Sequence, residues 1–78
     1  VGSYDELLVG SVAVTGVTWV DGPVAGEVEV QSSAHGRVRP GTFAGGVVTF
    51  AAPAPRVAPG QSVVLYRGND VLGGGLAV

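Results

Sequence analysis

Apolar and polar positions alternate with period two along most of this chain. The clearest stretch covers residues 24–35, where Val24, Gly26, Val28, Val30, Ser32 and Ala34 share one parity and Ala25, Glu27, Glu29, Gln31, Ser33 and His35 the other. Successive side chains on a strand point to opposite faces, so this segment reads as a half-buried antiparallel strand. An earlier and longer strand is expected over residues 8–20. Within it Val12 and Val14 have one parity and Val17 and Trp19 the opposite one, so the phase must slip near Thr15-Gly16. Gly16 is therefore the expected bulge, and a long strand bent there can serve two sides of a barrel. Before it, Ser3-Tyr4-Asp5-Glu6 has the spacing of a capping box, but no apolar stripe at helical spacing follows to extend a helix.

Turn chemistry divides the remainder. Asp21-Gly22-Pro23 is a turn by composition, Gly36 turns or bends the chain, and Arg37 to Arg39 pair briefly. Pro40-Gly41 reads as another turn before a short strand over residues 42–44, and Gly45-Gly46 as the hairpin connection into a strand over 47–50. Residues 51–59 contain Pro53, Pro55 and Pro59, none of which can donate to a ladder, so they are expected to cross the surface as an extended connection. Pro59-Gly60 is the strongest turn signal: proline presets the first central φ of a type II turn and glycine takes the positive φ of the second. A strand over 62–66, a tight turn at Gly68-Asn69 and a returning strand over 70–72 complete a closing hairpin. Gly73-Gly74-Gly75 then suits a bulge, a sharp bend at a barrel corner or the close approach of another backbone. About six short strands with a bulged first one point to an all-β fold, a small antiparallel barrel, because closure removes the edges that a Val-rich sheet would expose.

Composition narrows this further. Seventy-eight residues make one small domain, read here as spanning 1–78, too short for a large cleft together with the core to support it. There is no cysteine to supply disulfides or a thiolate metal site, so stability must come from apolar burial, for which 46% hydrophobic residues suffice, while 14 Gly and 5 Pro favour turns over helices. Six acids against four arginines give a net charge of −2, a poor profile for a free-standing nucleic-acid binder, so any RNA contact must be local. No apolar run is long enough to span a bilayer and the start lacks a signal-peptide pattern; a soluble, cytoplasmic chain with no membrane partner is expected, and the lack of cysteine is compatible with the cytosol.

Catalytic chemistry finds little footing. The single histidine, His35, would share a strand face with Ser33, a neighbourhood that alternation produces by accident and that lacks an orienting partner for a triad. One His, no Cys and scattered carboxylates cannot assemble a usual metal site. The carboxylate pairs Asp5-Glu6 and Glu27/Glu29 read as solvated surface, and the three consecutive glycines lack the lysine and following helix of a phosphate loop. The one cluster with functional promise is His35, Arg37 and Arg39, which project to one side if the backbone stays extended through Gly36. Such a row can contact two or three phosphates and so position an RNA without reading its sequence. The plainer reading is a charged rim that solvates a barrel end and pairs with Glu27 or Glu29 across the sheet. Trp19 and Tyr66 have faces on which bases can stack, but both read first as core or core-edge residues.

Residues 57–76 carry a family resemblance. Val57, Ala58, Pro59, Gly60 and Gln61, then Val64 and Tyr66, then Val71, Leu72, Gly73, Gly74 and Gly75 together resemble the end of bacterial tRNA-specific 2-thiouridylases. Leu7-Leu8-Val9-Gly10 followed by Val17-Thr18-Trp19 resembles the first strand of that family's C-terminal domain, extending the likeness over nearly the whole chain. The resemblance implies a barrel like the second domain of translation elongation factors. It also implies a larger, multidomain parent that uses ATP and a persulfide sulfur donor to thiolate the wobble uridine of tRNA. The parent's nucleotide loop and catalytic cysteines are not in this chain, which would then be a C-terminal domain that helps to hold tRNA or packs on the catalytic and central domains. His35 falls near a histidine common in that family. A structural or protein-interaction barrel without RNA contact is the alternative, favoured by the acidic balance.

Overall fold

The computed structural model describes residues 8–32 and 37–78, and all of its regular structure is strand. Six strands appear in chain order: β1 (Leu8–Trp19), β2 (Gly26–Ser32), β3 (Arg39–Ala44), β4 (Val47–Pro55), β5 (Ser62–Arg67) and β6 (Asp70–Ala77). They close into a barrel in the order β1-β4-β3-β2-β5-β6, with every pairing antiparallel. The expected capping box at Ser3-Glu6 lies outside the described residues.

The alternation predicted for β2 places its side chains as expected. Val28, Val30 and Ser32 are buried, while Glu27, Glu29 and Gln31 lie on the outer face. β1 bends where its parity slips. Between Thr15 and Thr18 it advances three residues while β6 moves two, from Leu76 to Gly74, so β1 carries one extra residue at a point where Gly16 has φ +64°. The first half of the strand thus pairs with β4 and the second with β6, and Val12, Val14, Val17 and Trp19 all contribute to one interior. That interior centres on Leu65, Val48 and Val63, with Trp19 at its edge, packed edge-on against Phe43 at a centroid distance of 5.4 Å. Tyr66 departs from the core reading. It lies opposite Glu29 on the outer face, and its hydroxyl donates to Gln31 Oε1 at 2.9 Å.

The turns follow their chemistry. Gly45 and Gly46 both have positive φ, as a I′ hairpin turn requires, whereas between Arg67 and Asp70 only Gly68 does, as in a II′ turn. At Pro59-Gly60 the Gln61 amide donates to the Ala58 carbonyl at 3.2 Å and Gly60 has φ +89°, completing the type II turn.

Two proline readings are corrected. Pro40-Gly41 is not a turn: both residues lie within β3, where Arg39 and Pro40 are in register with β2 alone, so the missing N–H interrupts no β3–β4 pairing. Residues 51–55 are not a surface connection but the second half of β4, and Ala54 is buried in the core. Between Val9 and Ser11 β1 advances two residues while β4 runs five, from Ala54 to Thr49. The three surplus residues form a wide irregularity that contains Pro53, while Pro55 pairs at the strand end with Leu8.

Of the three readings of Gly73-Gly74-Gly75, close backbone approach is the one realised. A Cβ at Gly73 would collide with the Thr18 carbonyl and the Trp19 ring, and one at Gly75 would stand 2.6 Å from the Thr15 carbonyl and 2.8 Å from Val14 Cγ1. The bulge falls one residue earlier, at Leu72, since β6 advances two residues from Gly73 to Val71 while β5 advances one, from Leu65 to Tyr66.

Candidate nucleic-acid interface

One mouth of the barrel is formed where β2 ends, β3 begins and β4 ends. Arg39 opens β3 directly opposite Val30, so its side chain shares the interior-facing parity of that core valine. Two residues earlier, Arg37 takes the same parity in the lead-in to β3. Both arginines line a narrow crevice over the core with Val30, Ser32, Phe50 and Val57. Arg39 is half-buried at this apolar rim, a position in which an arginine can cover apolar surface with its methylenes while its guanidinium stays in water. The crevice measures about 10 Å³, room for a single water and far too small for a nucleotide.

The expected row of His35, Arg37 and Arg39 is therefore met in part: Arg37 and Arg39 are brought together, and His35 lies outside the described residues. Pairing of these arginines with Glu27 or Glu29 does not occur, because β2 directs both carboxylates to the outer face and Pro40, not an arginine, stands opposite Glu29. Among the described residues, neither Arg37 nor Arg39 has a carboxylate partner.

Arg67 is differently placed. Its Nε and Nη2 donate to the Glu27 carbonyl at 3.1 and 2.8 Å, and Nη2 also to the Ala25 carbonyl at 3.5 Å, so this cation ties the chain entering β2 to the end of β5. Nothing in the local sequence pattern signals this tie, which joins positions forty residues apart. Beside it an open groove of about 520 Å³ runs over the outer face of β2, β3 and β4, walled by Glu27, Glu29 and Arg67 and floored by Thr42, Thr49 and Ala51. Among the described residues no three His, Cys, Asp or Glu side chains converge on a possible metal site, and no helix is long and apolar enough to cross a membrane.

Comparison with known proteins agrees with this fold. Residues 11–77 match the model of a family described as the aminomethyltransferase beta-barrel domain. Among individual proteins, the tRNA-specific 2-thiouridylase MnmA of Rhizorhabdus wittichii is 36% identical over 75 residues, covering 96% of this chain and 20% of that protein. The MnmA proteins of Geobacter metallireducens and Rhodospirillum centenum are each 38% identical, covering 96% and 100% of this chain and 22% of each relative. No solved structure matches the chain significantly. The chain spans about a fifth of the length of these curated relatives. With its closed barrel and a family match running from β1 to the end of β6, the chain belongs to the aminomethyltransferase beta-barrel domain family, in the form found in bacterial tRNA-specific 2-thiouridylases.

Proposed function

We propose that this barrel is the non-catalytic C-terminal domain of a cytoplasmic, ATP-dependent tRNA 2-thiouridylase, and that it helps to position tRNA while sulfur is transferred to the wobble uridine elsewhere in the protein. ATP and the persulfide sulfur donor belong to the catalytic part in this reading. The barrel supplies a cationic surface. The observation that carries the proposal is the joint placement of Arg37 and Arg39 at one mouth with no carboxylate partner among the described residues. His35, two residues before Arg37 in sequence, is the third expected contact. Contacts of this kind fix the register of an RNA through its phosphates and carry no base information, which suits an accessory domain. The test is the affinity of the full-length protein for its tRNA across a salt series. An R37A/R39A double variant is expected to bind about tenfold more weakly and to lose about 1.4 to 1.8 from the slope of log affinity against log salt, at 0.7 to 0.9 per phosphate contact. Unchanged affinity and slope would contradict the proposal.

A second reading, a barrel that serves only to dock its neighbours, is favoured by a different surface. Val47 and Val78 flank Ala13 across three adjacent strands, with Leu76 one step along; Val47, Leu76 and Val78 are 38%, 47% and 67% exposed. The relatives are roughly five times as long as this chain, so the partner fitting this row is an apolar face of another domain of the same protein. On this reading V47D/L76D frees the barrel from the rest of the protein in limited proteolysis, and the arginine variants leave tRNA binding unaltered.

A further inference from the structure

The arginine mouth has a third member outside the row that alternation singled out. Residues 30–69 contain all four arginines and His35 but no Asp or Glu, whereas the six acids are confined to positions 5–29 and Asp70. Asp5 and Glu6 lie outside the described residues; among the described ones the barrel converts this segregation into a polarity in space. Arg56 follows the last residue of β4 and precedes Val57, whose side chain is buried in the core. Its two neighbours, Pro55 and Val57, line the same crevice as Arg37 and Arg39, while Arg56 itself is exposed. Like those two, it has no carboxylate partner among the described residues. At the opposite end stand Asp21 beyond β1, Glu27 at the start of β2 and Asp70 in the β5–β6 hairpin, and the one arginine there, Arg67, is held by backbone carbonyls.

We propose that Arg56 is a third phosphate-positioning residue of the same RNA surface, and that RNA meets the barrel end-on at this mouth, away from Asp21, Glu27 and Asp70. The inference rests on the RNA contact proposed above. Arg37 and Arg39 line the mouth from the β3 side, and Arg56 sits in the β4–β5 connection between two residues that line it, so the three arginines reach this end of the barrel from two different elements. A phosphate backbone crossing the opening meets cations from both elements. One docked along the outer flank meets Glu27 and Glu29 instead.

The test measures binding of a fluorescein-labelled anticodon stem-loop to the full-length protein between about 50 and about 200 mM salt. Arg56→Ala is expected to weaken binding by about three- to tenfold at the low-salt end and to reduce the salt slope by about 0.7 to 0.9, with Arg56→Lys restoring the slope. Arg67→Ala and Asp70→Lys leave the slope at the wild-type value. Circular dichroism melts of each variant verify that the barrel is intact. A wild-type slope for Arg56→Ala while the R37A/R39A slope falls would overturn this inference and leave the broader RNA reading standing. Wild-type slopes for both would overturn the two together. A steeper slope for Asp70→Lys would contradict end-on docking.

Discussion

The two ends of this barrel share one core and handle charge in opposite ways. At the acidic end, Arg67 is spent internally: its guanidinium bonds the carbonyls of Glu27 and Ala25 and fixes the entry to β2. At the other mouth Arg37 and Arg39 line the opening, Arg56 sits between two residues that line it, and no described carboxylate answers them. A net charge of −2 describes neither end. For a domain of this size the distribution of charge, not its sum, decides what it can meet, because screening confines each group's influence to about 8 Å at physiological salt.

Breaking the frame common to both ends gives the largest expected effect. Leu65 is fully buried, and Leu65→Ala removes its methyl groups and leaves a cavity, for an expected loss of about 2 to 5 kcal/mol. A domain this small has little stability to spare, so chemical denaturation of the variant should show a midpoint shifted far down and both ends lost together. Next comes a cut that separates charge from packing at the mouth. Arg39→Met keeps an apolar stem over the crevice and removes the guanidinium; RNA affinity is expected to fall about five- to tenfold while stability stays within about 0.5 kcal/mol of wild type. If stability fell and affinity did not, Arg39 would be a structural cover and the contrast between the ends would disappear.

Smaller effects belong to the acidic end and the flank. Arg67→Ala removes charge-assisted bonds to two exposed carbonyls and is expected to cost about 0.5 to 1.5 kcal/mol in a thermal melt, with RNA affinity preserved under conditions where the barrel is folded. Tyr66→Phe deletes the bond to Gln31 on the half-buried outer face, with an expected loss of at most about 1 kcal/mol by the same measurement. An RNA defect in either variant would place the binding surface on the β2–β5 flank, away from the mouth.

Much of this frame was legible in the residues. The β2 alternation, the Gly16 slip, the Gly45-Gly46 and Gly68-Asn69 hairpins and the Pro59-Gly60 turn each follow from local chemistry, and parity alone put Arg37 and Arg39 on one side. What escaped depends on long-range register. Pro53 and Pro55 looked like strand breakers because a proline's missing donor is a local fact, whereas the surplus residues that accommodate Pro53 opposite Gly10 exist only once β1 and β4 pair. Pro40 was misread for the same reason, since its place in β3 depends on β2 being its only partner there. Arg56 was overlooked as part of a presumed surface connection; it joins the mouth because Val57 is drawn into the core beside it. The glycines of β6 announced a close approach, but that Trp19 and Val14 fill the vacated space could not be read before β1 was folded against them.

The most direct measurement is an amide correlation spectrum of the isotope-labelled chain titrated with an anticodon stem-loop at low and at moderate salt. The account predicts salt-sensitive shifts at Arg37, Val38, Arg39, Arg56 and Val57, with the amides of Glu27, Arg67 and Asp70 left in place. Shifts clustered on the Glu27–Arg67 flank, or a spectrum that RNA does not change, would contradict it.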